Sequence, residues 1–222
     1  MIIGVCGFIG TGKDTIADYL VNIHQFRRES FANTLKDAVS SVFGWNRELL
    51  EGRTKSSRAW REQRDEWWSN RLGMDITPRW VLQYWGTEVA RKSFHDDIWI
   101  ASLENKLRNI QDDVVISDCR FPNEISAIKN AGGIVVRVVR GQDPEWYSTA
   151  ATVNAGNKHI GWSIAKTELS KYNVHASETA WAGTDFDAIL DNNSTMDHLY
   201  QQVNCLVQDH LGATERQLSE SQ

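Results

Sequence analysis

Apolar residues fall along this chain in two rhythms. Short, largely apolar runs occur at Ile2–Cys6, Val114–Ile116, Ile134–Val139 and Ala188–Leu190. Runs of that length, apolar at consecutive positions, predict strands buried on both faces. Between them, apolar residues recur at three- and four-residue spacing: Ile16, Leu20 and Ile23; Leu35, Val39 and Val42; Leu82, Trp85 and Val89; Ile100, Leu103 and Leu107; Ile125 and Ile128; Met196, Leu199, Val203 and Leu206. Each set predicts a helix with one buried stripe. Pro78 suits the first turn of its helix, and Gly132-Gly133 stops the helix that carries Ile125. Strands alternating with helices predict an α/β fold, with a parallel central sheet flanked by helices.

Two stretches break the rhythm. Residues 53–71 are dense in Arg, Glu and Trp with little core pattern, and read as a solvated, partly helical insert. Residues 141–175 carry little periodicity and predict a mobile loop or lid. The polar tail from Gly212 is expected to fray. The organisation predicted is one domain over residues 1–212, its core formed by 1–44, 112–140 and 185–210. A helical insert covers about 45–111, a loop or lid about 141–175, and a polar tail 213–222. A length of 222 residues suits such a domain, and 41% hydrophobic residues suffice for a full core.

Charge narrows the partners. A net charge of -5 speaks against a duplex-DNA binder, and no direct nucleic-acid contact is expected. The Arg-rich stretch from Arg53 to Arg71 is interleaved with Glu and Asp, which reads as a solvated face. Cys6 and Cys119 lie in or beside apolar runs, and the three cysteines match no metal spacing. Buried free thiols and a reducing compartment are expected. The run Ile2–Cys6 is too short for a signal peptide and lacks a basic leader. No stretch is long enough to span a membrane. A soluble, cytoplasmic protein without membrane contact is the expectation.

The sharpest chemistry follows the first strand. Gly7-Phe8-Ile9-Gly10-Thr11-Gly12-Lys13-Asp14-Thr15 matches the phosphate-loop pattern G-x-x-x-x-G-K, with Asp where Ser or Thr is usual. Glycines at 7, 10 and 12 let the backbone wrap a polyphosphate with its N–H groups inward. The helix that follows turns its positive end to the same anion, and Lys13 adds a mobile charge for the β- and γ-phosphates. Thr11 belongs to the same cradle. Asp14 can meet Mg²⁺ directly or through water, and Thr15 offers a hydroxyl. A second constellation, Ser117-Asp118-Cys119-Arg120-Phe121-Pro122-Asn123-Glu124, ends the second apolar run. An acid at the carboxyl end of a parallel strand lies on the ligand side of the sheet. Asp118 can thus orient a metal-bound water, and Arg120 can grip a phosphate with two donors. A structural ion pair is the alternative for both, and helix capping is the alternative for Asn123 and Glu124.

Arg79 and Gln83 share a helix face at i, i+4, and Arg91 lies about two turns further on. These suit a dianionic acceptor, or simply the solvated face of an amphipathic helix. Lys36 can reach an acceptor phosphate or stand at the surface. Trp99, Trp80 and Trp85 can stack a base or pack a core. Arg140, at the end of the Ile134–Val139 run, can stabilise charge on a transferred phosphoryl group.

Taken together these blocks resemble the deoxynucleoside monophosphate kinases of tailed bacteriophages, within the P-loop nucleoside monophosphate kinase superfamily. The likeness is carried by the G-K-D-T loop ending at Thr15; by T-P-R-W-V-L-Q-Y-W-G-T-E-V-A-R from Thr77 to Arg91, with Asp97-Ile98-Trp99; by S-D-C-R-F-P-N-E; by H-A-S-E from His175 to Glu178; and by Asp191-Asn192-Asn193. It implies a P-loop kinase fold, with the 45–111 insert as a substrate-binding part and 141–175 as a closing lid, and transfer of the ATP γ-phosphate to a deoxynucleoside monophosphate with Mg²⁺. It also implies an acceptor site using Lys36, Arg79, Gln83, Arg91, Trp99 and Arg120, and a homodimer. Lys13, Asp118, Arg120 and Arg140 would form the catalytic set, with Asp14, Thr15 and Asp118 towards the metal. Two other readings stay open: a P-loop kinase of another small molecule, of the dephospho-coenzyme A or phosphomevalonate type, and a P-loop ATPase or binding module.

Overall fold

A computed structural model describes residues 1–156 and 161–220, with side chains described up to residue 210. In chain order the elements are β1 (Ile2–Cys6), α1 (Lys13–His24), β2 (Arg27–Glu29), α2 (Asn33–Phe43), α3 (Arg47–Glu51), α4 (Lys55–Glu62), α5 (Glu66–Leu72) and α6 (Pro78–Tyr84). A π-helical segment, Trp85–Lys92, continues α6. Then come α7 (Ile98–Leu107), β3 (Val114–Ile116), α8 (Pro122–Asn130), β4 (Ile134–Val139), α9 (Tyr147–Asn154), α10 (Trp162–Ser170), α11 (Ala176–Thr179), β5 (Ala188–Asp191) and α12 (Met196–Glu220). The chain separates into two compact units, Met1–Glu29 with Gln111–Gln222, and Ser30–Ile110.

The first unit holds one five-stranded sheet, ordered β2-β3-β1-β4-β5. Every pairing is parallel: Ile3 sits opposite Val115 on one side and Ile134 on the other, and Val136 opposite Ala188. This is the parallel sheet flanked by helices that the apolar pattern predicts. On one face Ile3, Val5, Val115, Val136 and Val138 pack against Ile16 and Leu20 of α1 and Leu199 and Val203 of α12. The strand order reverses at β1, which places the loop after it at the switch point where parallel sheets bind ligands.

One strand escapes the sequence reading. β2 is Arg-Arg-Glu, with no apolar run, and is fixed by its register against β3, Arg28 opposite Val115. An edge strand carries few core contacts, so it leaves little hydrophobic trace. The stretch 141–175, expected as a mobile loop or lid, carries α9 and α10, with residues 157–160 outside the described part. Its helices are short and small-residue-rich, burying Ala150 and Ala165 rather than a stripe of large side chains. The tail, expected to fray, is drawn into α12, which runs to Glu220.

The second unit is helical, with a core of Leu35, Val39, Trp45, Leu50, Ile76 and Val81. It includes α2, which the sequence pattern assigns to the core with residues 1–44. Trp60, Trp68, Trp80, Trp85 and Trp99 pack around that core, so the Arg-rich stretch contributes two packing tryptophans. Val89 departs from the stripe expected of it and is exposed. The π-helical i→i+5 bonding carries it off the face that Leu82 and Trp85 occupy. Val81 and Gly86 are buried instead.

Candidate active site

The loop after β1 closes on itself through its own lysine. Lys13 Nζ donates to the Gly7 carbonyl at 2.8 Å and to the Phe8 carbonyl at 2.7 Å. Thr11 is buried, and its hydroxyl donates to the same Phe8 carbonyl at 2.9 Å. Thr11 therefore shapes the cradle. Burial pushes the Lys13 ammonium below its usual range, and the nearby Arg120 charge pushes it the same way.

Two glycines are required by contact. Gly7 has φ 147°, and a Cβ there would lie 2.7 Å from the Val138 carbonyl. Gly12 has φ 107°, and a Cβ would lie 2.5 Å from Asn192 Nδ2. That amide is buried and donates to the Thr11 carbonyl at 2.8 Å, while the Asn192 N–H donates to the Val139 carbonyl at 2.8 Å. Asn192 thus joins the ends of β4 and β5 to the loop. Lys13, Asp14 and Thr15 open α1, whose N-terminus is a favourable place for an anion held by the loop.

Beside Lys13 the third and fourth motif blocks meet. Arg120 lies 3.7 Å from Glu178 Oε1, and its NH1 donates to Ser177 Oγ at 3.5 Å. Ser177 and Glu178 belong to α11, which His175 caps by accepting from the Ser177 N–H at 3.2 Å. His175 thus opens a helix. Glu124 is buried and takes the capping role for α8, accepting from the Arg120 and Phe121 N–H groups at 2.9 and 3.2 Å. Asn123 Oδ1 accepts from the Glu124 N–H at 3.1 Å. Asp118 follows β3 on the same edge. Arg140 follows β4 and is exposed, with no ion-pair partner among the described residues.

Asp14 is met by a partner that no sequence pattern signals. Arg28, at the centre of β2, pairs with Asp14 and reaches Asp18 at 2.7 Å and Ser117 Oγ at 2.8 Å. The oxygen donors of this region, Asp14, Thr15, Ser117 and Asp118, suit Mg²⁺, which keeps several waters and takes few protein oxygens. Among the described residues no group of three or more His, Cys, Asp or Glu side chains could hold a metal by itself. An ion here would rest mainly on phosphate and water, with Arg28 screening Asp14.

Of the acceptor candidates, Arg120 lies in the first unit, while Lys36, Arg79, Gln83, Arg91 and Trp99 lie in the second and are differently placed from one another. Lys36 is bound to Glu51 at 2.7 Å. Glu51 also pairs with Arg47, which reaches Asp37 at 2.6 Å. Although burial alone would raise the Glu51 carboxyl, hydrogen bonds from Lys36 and Arg47 hold it down at about 2. Arg79 is exposed and pairs with Glu62 at 3.2 Å, and Gln83 is exposed one turn on. Arg91 is half-buried in the π-helical segment, so its direction is not that of a straight α-helix. Trp99 donates to the Gly86 carbonyl at 2.9 Å and packs on the core of this unit. Trp80 stacks on Tyr84 with ring centroids 5.0 Å apart.

No family model matches the chain. A protein of Acanthamoeba polyphaga mimivirus named as a putative deoxynucleotide monophosphate kinase is 28% identical over 218 residues, covering 91% of this chain and 94% of that protein. A deoxynucleoside-5'-monophosphate kinase of Escherichia phage T5 is 28% identical over 176 residues, covering 56% of this chain and 70% of its own. Among solved structures, a shikimate kinase from Aquifex aeolicus aligns over 95% of this chain and 98% of its own, at 10% identity and TM-score 0.43. The chain is thus similar over nearly its whole length to the mimivirus protein, and over about half of it to the phage T5 kinase, in keeping with the resemblance that its motifs carry.

Proposed function

We propose that the protein transfers the γ-phosphate of ATP to a deoxynucleoside monophosphate, giving ADP and the deoxynucleoside diphosphate. The carrying observation is the loop of Gly7 to Thr15 at the switch point of the sheet, with Lys13 fixed on two loop carbonyls and Arg120 beside it. Those carbonyl bonds pre-place the ammonium for a polyphosphate. The similarity to viral kinases of that name supports the choice of acceptor.

The transfer needs little proton chemistry, because the acceptor phosphate is already an anion. Positioning and charge neutralisation do the work. Lys13, Arg120 and Arg140 cover the transferred group. Asp14, Thr15 and Asp118 would hold Mg²⁺, directly or through water, and the ion would supply charge neutralisation to the phosphates. Arg79, Gln83 and Arg91 of the second unit hold the acceptor phosphate, and Lys36 joins them by leaving Glu51. The helices of the 141–175 stretch serve as a cover that limits hydrolysis of ATP.

The test is ATP-dependent conversion of deoxynucleoside monophosphates, followed in the wild type and in Lys13→Ala. Removing one pre-placed cation at a developing charge should lower kcat/KM by about 10²–10³-fold. Near-normal turnover in Lys13→Ala would contradict the assignment.

A further inference from the structure

The phosphate loop carries a charge where such loops usually carry a hydroxyl, and the fold supplies a counter-charge from the neighbouring edge strand. Asp14 and Asp18 stand one turn apart on α1, so both point from the same helix face. Arg28 of β2 meets both, one guanidinium nitrogen on Asp18 at 2.7 Å and the other on Asp14. The nitrogen on Asp14 also donates to Ser117 Oγ at 2.8 Å, and that hydroxyl lies 3.5 Å from Asp14 Oδ1. One planar fork therefore ties the start of α1 to the end of β3.

Stability does not explain this arrangement. The Asp14 side chain is 78% exposed while Arg28 is only 17% exposed. An ion pair with an arm that open contributes little to folding. Its effect falls on the loop. Lys13, Arg28, Asp14 and Asp18 together carry no net charge; without Arg28 they carry one negative charge beside a site for an anion.

Resting on the nucleotide-binding reading above, we infer that Arg28 is a positioning residue of the phosphate loop: it holds and screens Asp14, so that the loop accepts a nucleotide polyphosphate without Asp14 repelling it. It acts through Asp14 and touches no reacting atom. Arginine is needed for geometry as well as charge, because three acceptors on two elements call for a planar fork that lysine lacks.

The experiment is calorimetric titration of ADP, once with EDTA and once with excess Mg²⁺. It compares wild type, Arg28→Gln, Arg28→Lys and the double variant Arg28→Gln/Asp14→Asn. A bare carboxylate near the site should weaken metal-free ADP binding by about tenfold in Arg28→Gln. The loss should be smaller with Mg²⁺, since the ion replaces the missing cation. Asp14→Asn in the double variant should restore metal-free binding, and Arg28→Lys should fall between. Equal losses with and without Mg²⁺, or no restoration by Asp14→Asn, would overturn the inference. Thermal melts separate this from misfolding: if Arg28→Gln fails to fold, the double variant and Arg28→Lys decide by the same criteria. Wild-type protein that binds no ADP in either condition would overturn the nucleotide reading itself; wild-type binding unchanged in Arg28→Gln overturns only the role of Arg28.

Discussion

At the scale of single residues, surroundings sort the three cysteines as they sort Lys13. Cys6 is buried in β1, its thiol donating to the Cys119 carbonyl at 3.3 Å, and burial pushes it up to about 12. Cys119 is buried and pushed well above its usual range by the same cause, while Cys205 is exposed. A disulfide-exchange reagent near neutral pH should therefore modify one thiol rapidly in the folded protein, and all three after denaturation. Rapid reaction of a second thiol would mean that the β1–β3 edge opens far more easily than its burial implies. The motif residues were legible because their chemistry is local: Lys13 and its glycines are contiguous, and Arg120 sits in a run with Asp118 and Glu124. Arg28 was not legible. Its partners lie 10, 14 and 89 positions away, and only the pairing of β2 with β3 brings them together.

At the scale of elements, the doubly apolar strands announced themselves and the edge strand did not, since β2 has two arginines and a glutamate to show. The helix of Pro78 was legible in its start and misread in its course. The Thr77 cap and the proline mark where it begins, but nothing in apolar spacing reveals the π-helical continuation that exposes Val89. α8 shows what one capping side chain carries. Glu124 accepts two N–H groups at the start of this helix, one of them from Arg120. Replacing Glu124 by Ala leaves those donors unsatisfied and should cost about 1–2 kcal/mol in urea unfolding. It should also reduce nucleotide turnover through a displaced Arg120. Unchanged stability would show that water satisfies the N-terminus of α8 equally well.

At the scale of the whole molecule, the chain places its phosphate loop in a parallel-sheet unit and all its acceptor candidates but Arg120 in a helical one. The helical unit carries its own acid sensitivity. Glu51 is held at about 2, against a usual 4.5, by hydrogen bonds from Lys36 and Arg47 that outweigh its burial. A carboxyl depressed on folding contributes stability that is full above 4.5 and is lost as pH falls towards about 2. Urea melts should therefore weaken between about pH 5 and pH 3 by on the order of 2 kcal/mol more in wild type than in Glu51→Gln. Parallel curves would show that the Lys36–Glu51–Arg47 group is formed equally in the unfolded chain. Because Lys36 is engaged by Glu51, the same comparison bears on function: Glu51→Gln frees Lys36 and should lower the KM for the acceptor while leaving that for ATP unchanged. The central claim is tested most directly by an ADP-release assay with Mg-ATP and each deoxynucleoside monophosphate in turn, run beside the ribose forms. ADP release that depends on one or more deoxynucleotides, with the diphosphate formed in equal amount, is the predicted result. ATP binding or slow hydrolysis that no deoxynucleotide stimulates would contradict the account.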